Sequence, residues 1–528
     1  MTESLSLFEG EISPIVLRRE SAILSSYQRT TLPSHTAPSG VVFPVSQAEV
    51  QQLVRAARNH KIPLYPISRG NNWGYGSAMA PRSGCVIVDL RKMNRILSVS
   101  ALGFATIEPG VSQGQLESYL KREHPRWWMD ANGAGPDASI VGNLLERGFG
   151  HSPLGERARQ CSGFEVVLGT GEILRTGFGH YPGAKTTEVY PYGVGPSLDG
   201  LFFQSNFGIV TQVSISLMPR PESFASFFFS ADNSQLGSLV EGLRELKQEG
   251  VLRSTVHLGN ALRTLTNKVE YPWKETEGKR PVSSSTLSRW CEQYRVKDWN
   301  GLGAVYGPAL FVKASLEAIK KKLHPIKVTV MTEEKLHRLR HLVSLLPQSL
   351  HRVQTARQAL EMITPAMGLL KGEQTDFYLR TSGWRSPNLT ANETCPHANG
   401  SGLIWVVPVV PACREDVGVV EKLITETYQQ HGFDAPITLT FVNERALIVT
   451  TNISYNRSDE RDTQAAAECY KQAQQMLIKA GYPPYRAGIG GYEPLMNGSE
   501  YWKVVATLKE QFDPDHIISP GRYGVFSP

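Results

Sequence analysis

The sequence predicts an α+β protein of two or more domains. Its 528 residues exceed what one hydrophobic core normally organises. Up to about residue 217, short apolar segments typical of strands alternate with segments typical of helices, joined by short connections. From about Pro219 the pattern of apolar and polar residues changes, and amphipathic helical stretches alternate with irregular, polar segments as far as residue 475. These observations place a domain break near Pro219.

The elements of the first domain follow in order. A strand at residues 42–44 precedes Ser46, whose hydroxyl is placed to cap a helix that runs to Ala57. Further strands are predicted at residues 62–65, 86–90 and 104–108. A helix is predicted at residues 113–120, and a hairpin at residues 164–175. Beyond the break, helices are predicted at residues 236–246 and 316–323, and the last fifty residues return to helix.

Composition and charge exclude several classes of function. The net charge of +6 is spread over the chain without a run of Lys and Arg interleaved with aromatic residues, so we expect no nucleic-acid partner. No apolar stretch approaches the ~20 residues that cross a bilayer, so we expect no membrane partner. The six cysteines are scattered without a CxxC pair, which argues against a disulfide scaffold and a zinc site. The acidic N-terminal segment lacks an export signal, which predicts a cytoplasmic protein.

Glycine-rich loops are the main functional signal. Residues 66–77 and 132–143 each concentrate glycine and asparagine, and a third turn contains Gly208. Loops of this composition can turn several backbone N–H groups toward one phosphate. None of them has the GxGxxG-then-helix pattern of a Rossmann site. The three loops therefore predict an extended dinucleotide that lies across the domain.

Several ordered segments resemble the vanillyl alcohol oxidase and p-cresol methylhydroxylase family of flavoproteins. The segments are residues 67–76, 139–150, 163–168, 171–177, 192–196, 199–211, 299–300, 306–308, 485–486 and 519–522. The resemblance implies a two-domain flavoprotein, in which residues 1–220 and 476–528 bind FAD and residues 221–475 form an α+β cap over the substrate. By the same likeness, the residues that contact FAD would be Ser68, Arg69, Gly70, Asn71, Asn72, Tyr75, Gly76, Ser77, Pro136, Ser139, Gly142, Asn143, Gly208, Ile209, Val210 and Arg522.

The resemblance also implies the chemistry. A hydride leaves a carbon next to an aromatic ring for the flavin, while a phenol oxygen is held as phenolate. Tyr485 and Arg486 match the pair that serves this role in the family. Where we expect a second phenol-binding Tyr the chain has Gln113, which can still hydrogen-bond an oxygen. Asp137 is either a base or the cap of the following helix, and His151 either accepts a proton or bonds to a neighbouring backbone group.

A covalent flavin link is expected to be missing. Leu403 occupies the likely linking position, and leucine has no nucleophilic atom. The Gly-rich loop carries Trp73 and Tyr75 where bicovalent relatives carry a His. His397 and Cys161 are the alternatives left as possible tethers.

The expected partners are a small aromatic substrate and an electron acceptor, either oxygen or a redox protein. A homodimer stays open. The substrate would be phenol-like or a natural-product intermediate. A carbohydrate or alcohol oxidase of the wider fold, and a flavin-binding protein without turnover, are the alternative functions.

Overall fold

The computed structural model describes residues 2–277, 281–347, 351–386, 395–397 and 400–524. Its α-helices are α1 Thr2–Glu11, α2 Ser21–Gln28, α3 Gln47–His60, α4 Gln113–Glu123, α5 Ile140–Leu145, α6 Leu236–Gln248, α7 Ala261–Leu265, α8 Trp273–Thr276, α9 Ser284–Tyr294, α10 Ala309–Leu323, α11 Glu333–Leu345, α12 His351–Leu370, α13 Arg414–Gln430, α14 Glu460–Lys479 and α15 Glu500–Phe512. Short 3-10 helices are Leu90–Lys92, Arg157–Arg159, Gly177–His180, Asp199–Phe202, Asn233–Gln235, Leu379–Gly383 and Glu493–Leu495.

The strands are β1 Gly40–Val42, β2 Leu64–Ile67, β3 Val86–Asp89, β4 Ile96–Val99, β5 Phe104–Ile107, β6 Trp127–Trp128, β7 Cys161–Leu168, β8 Ile173–Arg175, β9 Gly208–Ser216, β10 Met218–Pro219, β11 Ser223–Ala231, β12 Val256–Asn260, β13 Trp299–Gly307, β14 Val328–Thr332, β15 Ser401–Val406, β16 Val409–Pro411, β17 Ile437–Phe441 and β18 Ala446–Asn456.

The first domain contains two main sheets. A parallel sheet has the order β1-β3-β2, and an antiparallel sheet has the order β4-β5-β9-β7-β8. Helix α3 starts at Ser46, whose hydroxyl accepts a hydrogen bond from the Glu49 amide, as the sequence predicts. The C-terminal segment returns to this domain, where Ile518 bridges Leu64 beside the parallel sheet.

The cap is built on an eight-stranded antiparallel sheet. Its order is β14-β11-β13-β12-β17-β18-β15, and β16 also pairs with β18. Alternate residues on one face, such as Leu258 and Leu439, join a buried core with helices α6, α10, α13 and α14. The prediction of irregular polar segments between the helices was wrong, because those segments contain the strands of this sheet. The α+β fold class is confirmed.

Helix α14 spans the predicted end of the cap at residue 475. Its buried face, including Cys469 and Leu477, packs in the core of the cap sheet. The division of the chain into domains stays a prediction. No helix in the described part of the chain is long and apolar enough to cross a membrane.

Candidate active site

The Gly-rich loop after β2 lines a cavity of about 170 Å³ in the first domain. Gly70 has a φ of 73°, a left-handed conformation that glycine adopts at little cost. The backbone amides of Gly70, Asn71 and Asn72 make no hydrogen bond to the residues that the structure describes. A row of unused N–H donors in a turn is suited to bind a phosphate.

Most of the predicted FAD-contacting residues line this cavity together. They are Ser68, Arg69, Gly70, Asn71, Asn72, Ser77, Ser139, Gly142, Asn143, Gly208, Ile209 and Val210. The buried hydroxyl of Ser77 has no hydrogen-bond partner among the described residues, so it is available to a bound ligand. A Cβ at Gly142 would lie 3.1 Å from Oγ of Ser68, so a side chain there would crowd the loop. These features fit a dinucleotide such as FAD.

Three of the predicted FAD contacts, Gly76, Pro136 and Arg522, are not among the residues that line this cavity. A Cβ at Gly76 would lie 2.5 Å from Cδ1 of Ile489, so this glycine permits a close packing contact. The carbonyl of Pro136 accepts from the Gly114 amide at 2.8 Å. Arg522 is 1% exposed and pairs with Glu146 at 3.0 Å. The structure places all three as supports of the loops.

A second cavity, of about 480 Å³, lies between the first domain and the cap sheet. Both cavities are lined by Asn71, Asn72, Ala134, Asn143 and Arg486. Alternate residues of the cap strands form its roof, on the face opposite the cap core. They include His257 and Gly259 on β12, Leu403 and Trp405 on β15, Thr438 and Thr440 on β17, and Thr450 and Asn452 on β18. The cavity is therefore apolar and aromatic in part, with several hydroxyl and amide groups.

Tyr75, Tyr485 and Arg486 meet where the two cavities join. The guanidinium carbon of Arg486 lies 3.6 Å from the centre of the Tyr75 ring and 6.0 Å from that of Tyr485. Burial, followed by the nearby phenol of Tyr485, raises the pKa of Tyr75 well above its ordinary value, so its hydroxyl stays a donor. The structure thus places Tyr75, predicted as an FAD contact, on the second cavity instead.

Asn72 and Glu146 contact the guanidinium of Arg486 and stabilise its positive charge. Its guanidinium donates to Oδ1 of Asn72, and its Nε lies 3.9 Å from Glu146. Burial opposes the charge, but Tyr75, Tyr485 and Glu146 raise the pKa of Arg486 above its ordinary value. Burial likewise disfavours ionised Glu146, but Arg522 and Arg486 lower its pKa below the usual range. The cation at the junction is therefore permanent.

Two stacked histidines stand in the second cavity, with ring centres 4.2 Å apart. The Thr255 hydroxyl donates to the Gly150 carbonyl, so its oxygen accepts from Nε2–H of His257 at 3.3 Å. Nδ1 of His257 then lacks a proton and accepts from the Thr440 hydroxyl at 3.0 Å. Both ring nitrogens of His257 are thus in use.

His151 keeps one ring nitrogen for the cavity. Its Nδ1 lies 3.2 Å from the Ala131 carbonyl, which can only accept, so Nδ1 carries the proton and Nε2 is an acceptor. Burial lowers the pKa of His151 to about 4, so the ring is neutral at physiological pH. The backbone bond expected as one alternative is present, and the ring still lines the cavity.

The structure does not bring Gln113 or Asp137 to the substrate cavity. Gln113 is 0% exposed, accepts from the Asn132 amide at 2.9 Å and donates to the Gly135 carbonyl at 2.9 Å, so it fixes that loop. Asp137 is 65% exposed at the side chain and pairs with Arg69. The cap of helix α5 is the hydroxyl of Ser139, so the alternative of Asp137 as cap was also wrong.

The possible tether residues lie in different places. Leu403 and Trp73 line the substrate cavity. His397 contacts Cys395 at 3.1 Å, and Cys161 begins β7 with its thiol directed to the Ala158 carbonyl. Neither His397 nor Cys161 lines either cavity as the structure describes them.

Sequence reasoning missed Arg263, Tyr378 and the role of His257, all of which line the second cavity. Arg263 lies on the short helix α7 directly after β12, and no motif marks it. The position of His257 could have been predicted from its strand, because alternate residues of β12 face the cavity. This prediction requires that residues 256–260 are first recognised as a strand.

Comparisons with known proteins agree with this site. Residues 38–177 match the FAD binding domain family. The chain is 35% identical to the 1'-carboxy-chondrochloren decarboxylase of Chondromyces crocatus, covering 96% of this chain and 93% of the relative. It is 27% identical to the flavoprotein subunit of 4-cresol dehydrogenase (hydroxylating) from Pseudomonas putida, covering 96% and 92%. The structure of 4-ethylphenol oxidase from Gulosibacter chungangensis, in complex with isoeugenol, superposes with a TM-score of 0.88 at 25% identity, covering 99% and 97%.

The fold, the dinucleotide cradle and the adjoining cavity define an FAD-dependent oxidoreductase. The chain belongs to the vanillyl alcohol oxidase and p-cresol methylhydroxylase family.

Proposed function

We propose that this enzyme oxidises a 4-substituted phenol by removing a hydride from the carbon attached to the ring. The observation that carries the proposal is the convergence of Tyr75, Tyr485 and Arg486 at the junction of the two cavities. The names of the relatives support it, because they include a 4-cresol dehydrogenase and a 4-ethylphenol oxidase. When bound, FAD supplies the two-electron acceptor for the hydride.

The three residues favour the ionised form of the phenol. A positive charge and hydroxyl donors near the oxygen lower the pKa of a bound phenol. The phenolate then pushes electron density through the ring toward the carbon that loses the hydride, which lowers the barrier. We assign Arg486 as the cation, and Tyr75 and Tyr485 as donors to the phenolate oxygen.

His151 has a smaller role in this proposal. Its neutral ring offers Nε2 as an acceptor, and a pKa of about 4 makes it a weak base. We assign it to accept a hydrogen bond from the para substituent of the substrate or from a water. Asp137 and Gln113 have no part in the reaction.

We also propose that FAD is bound without a covalent link. Leu403 and Trp73 border the substrate cavity and lack a suitable nucleophile, whereas His397 and Cys161 lie away from both cavities. Precipitation of the holoenzyme with acid tests this directly. The yellow colour is expected in the supernatant, and colour retained in the pellet after washing would refute noncovalent binding.

The function itself is tested with the oxidised holoenzyme under anaerobic conditions. We expect 4-alkylphenols to bleach the flavin absorbance, whereas simple sugars and aliphatic alcohols leave it unchanged. Bleaching by sugars or alcohols alone would favour the carbohydrate or alcohol oxidase alternative. No bleaching by phenols, indoles, pyrroles, sugars or alcohols would favour a flavin-binding protein without turnover.

The product, the cellular location and the electron acceptor are proposals as well. The named relatives include a decarboxylase and a hydroxylating dehydrogenase, so the proposal covers the oxidation step and not the final product. We propose a cytoplasmic enzyme of biosynthesis that passes electrons to oxygen or a redox protein. Reoxidation rates with oxygen and with a cytochrome decide between the acceptors.

A further inference from the structure

Arg263 lines the substrate cavity from the cap side. It lies on α7, where the Asn260 side chain caps the helix by accepting from the Arg263 amide at 2.8 Å. Its Nη1 donates to Oγ1 of Thr381 at 3.2 Å. A Cβ at Gly259 would lie 3.3 Å from Cγ of Arg263, so the glycine gives the arginine stem its space. Strand β12 and helix α7 therefore hold this guanidinium at the cavity wall.

The charge of Arg263 has no carboxylate partner in the described part of the chain. Two more fully buried arginines have one: Arg157 pairs with Asp130 at 2.7 Å, and Arg385 pairs with Asp462 at 3.1 Å. Burial lowers the pKa of Arg263, although a guanidinium stays charged at physiological pH. A partly buried guanidinium without a carboxylate partner is less well stabilised than a paired one, so an anion bound in the cavity would stabilise it.

The neighbours of Arg263 in the cavity are neutral. Burial raises the pKa of Tyr378 to about 12, so its phenol is not an anion at physiological pH. His257 is neutral as well, because burial, and then its neighbours His151, Lys247 and Arg263, lower its pKa well below the usual range. Thr381 contributes only a hydroxyl oxygen to the guanidinium. Among the described residues that line the cavity, none carries a negative charge that could pair with Arg263.

The second cavity thus has two cations on different walls. Arg486 lies at the junction with the FAD cradle and is paired with Glu146, whereas Arg263 lies in the cap and is unpaired. A substrate with a phenol at one end and a carboxylate at the other would satisfy both. We propose that the substrate is a phenol whose para substituent carries a carboxylate, and that Arg263 binds this carboxylate. The inference rests on the proposed function for the phenol end.

The test measures binding by anaerobic titration calorimetry to the holoenzyme with its flavin reduced, which cannot accept a hydride, with 3-(4-hydroxyphenyl)propionate and its methyl ester as probes. The acid is expected to bind at least about tenfold more tightly than the ester, since hydrogen bonds to charged groups contribute at this level. Arg263→Gln is expected to remove that preference, weakening the acid about tenfold and leaving the ester within about twofold. Lys268→Gln is the matched control, because Lys268 is a nearby cation that contacts the Tyr294 ring and does not line the cavity.

Equal binding of acid and ester to the unmodified enzyme would overturn the inference, as would equal weakening of both probes by Arg263→Gln. If Arg263→Gln does not fold, Arg263→Lys decides. It keeps the charge but loses the planar donors of the guanidinium, so acid binding is expected to weaken several-fold, and an unchanged acid preference would contradict carboxylate binding by the Arg263 guanidinium. The reduced holoenzyme cannot oxidise the probes, so calorimetry reports binding alone, and failure of phenols to bleach the oxidised flavin would reject the proposed function separately.

Discussion

In the proposed reaction, Arg486 is the side chain that supplies the positive charge at the phenolate oxygen. It stacks against Tyr75, donates to Asn72 and is balanced by Glu146. These contacts fix a planar cation at the point where the two cavities meet. A cation that is already in position stabilises developing charge without reorganising, which is why its geometry matters as well as its charge.

Replacing Arg486 with Lys should lower kcat/KM for a 4-alkylphenol by about 10²-fold or more, because the ammonium cannot reproduce the stacked, planar arrangement. Steady-state kinetics with the FAD content measured in parallel provide the check. Arg445→Lys is a suitable control, since the Arg445 side chain is 82% exposed and outside both cavities. Unchanged kinetics in Arg486→Lys would show that the guanidinium has no special role.

Tyr75 gives a second expectation, concerning pH. Without its hydroxyl the bound phenol loses a donor, so its pKa should rise, and the ascending limb of the kcat profile, which reports groups in the enzyme–substrate complex, should move to higher pH by about one unit in Tyr75→Phe. Tyr492→Phe serves as the control, because Tyr492 lines neither cavity. Coincident profiles for Tyr75→Phe and the unmodified enzyme would remove Tyr75 from phenolate binding.

The motifs predicted Tyr485 and Arg486 at the site, and both line the substrate cavity. Tyr75 was expected at the FAD because it lies in the Gly-rich loop, but a loop sequence does not reveal which of two cavities a side chain enters. Arg263 could not be predicted. Its proposed role depends on the absence of a carboxylate partner among the described residues, and no local sequence pattern records that absence.

At the level of strands and helices, β12 and the loop before β7 place the two histidines together. Folded His151 has a pKa of about 4 against an ordinary value of 6.5, so the unfolded chain takes up the proton first as the pH falls. Stability that is fully present above pH 6.5 is therefore lost progressively between pH 6.5 and 4. His257 acts in the same direction.

The acid sensitivity should decrease in His151→Gln. The free energy of unfolding of the unmodified protein should fall by up to about 3 kcal/mol from this histidine across that pH window, and the variant should lack this component. Denaturant unfolding at a series of pH values measures the difference, with His180→Gln as the control at an exposed position. Parallel pH profiles for His151→Gln and the unmodified protein would contradict the burial argument.

The C-terminal segment is held to the first domain by Glu146. This carboxylate, just after α5, accepts from Arg522 at 3.0 Å and from the Tyr523 hydroxyl at 2.8 Å, and it also faces Arg486. Residues far apart in the chain are thus joined next to the guanidinium of Arg486. The motif at residues 519–522 indicated the segment, but its partner became evident only in the structure.

Glu146→Gln should lower the free energy of unfolding by about 3 kcal/mol, because it leaves two buried guanidinium groups without their anion. Urea unfolding measures the loss, and the FAD content is expected to fall with it. Glu334→Gln, at a side chain that is 73% exposed, should change stability by less than about 0.5 kcal/mol. A similar small change in Glu146→Gln would mean that the cluster is not a structural anchor.

For the molecule as a whole, the first domain was largely predictable, because its apolar strands, capped helices and glycine loops each carry a local signal. The cap sheet was not. Its strands place Thr438, Thr440, Thr450 and Asn452 toward the cavity. In the sequence these polar residues are typical of exposed loops, so the apolar residues between them, which face the core, were not recognised as one side of a strand. A sheet that roofs a polar cavity lacks the contrast by which strands are recognised.

The most direct test of the central claim compares 4-ethylphenol with its methyl ether, 4-ethylanisole. The two compounds share the same benzylic carbon, but only the phenol can ionise at the site formed by Tyr75, Tyr485 and Arg486. Each is mixed anaerobically with the oxidised holoenzyme while the flavin absorbance is followed. The account predicts rapid bleaching by 4-ethylphenol and none by 4-ethylanisole. Equal bleaching by both compounds, or bleaching by neither, would contradict it.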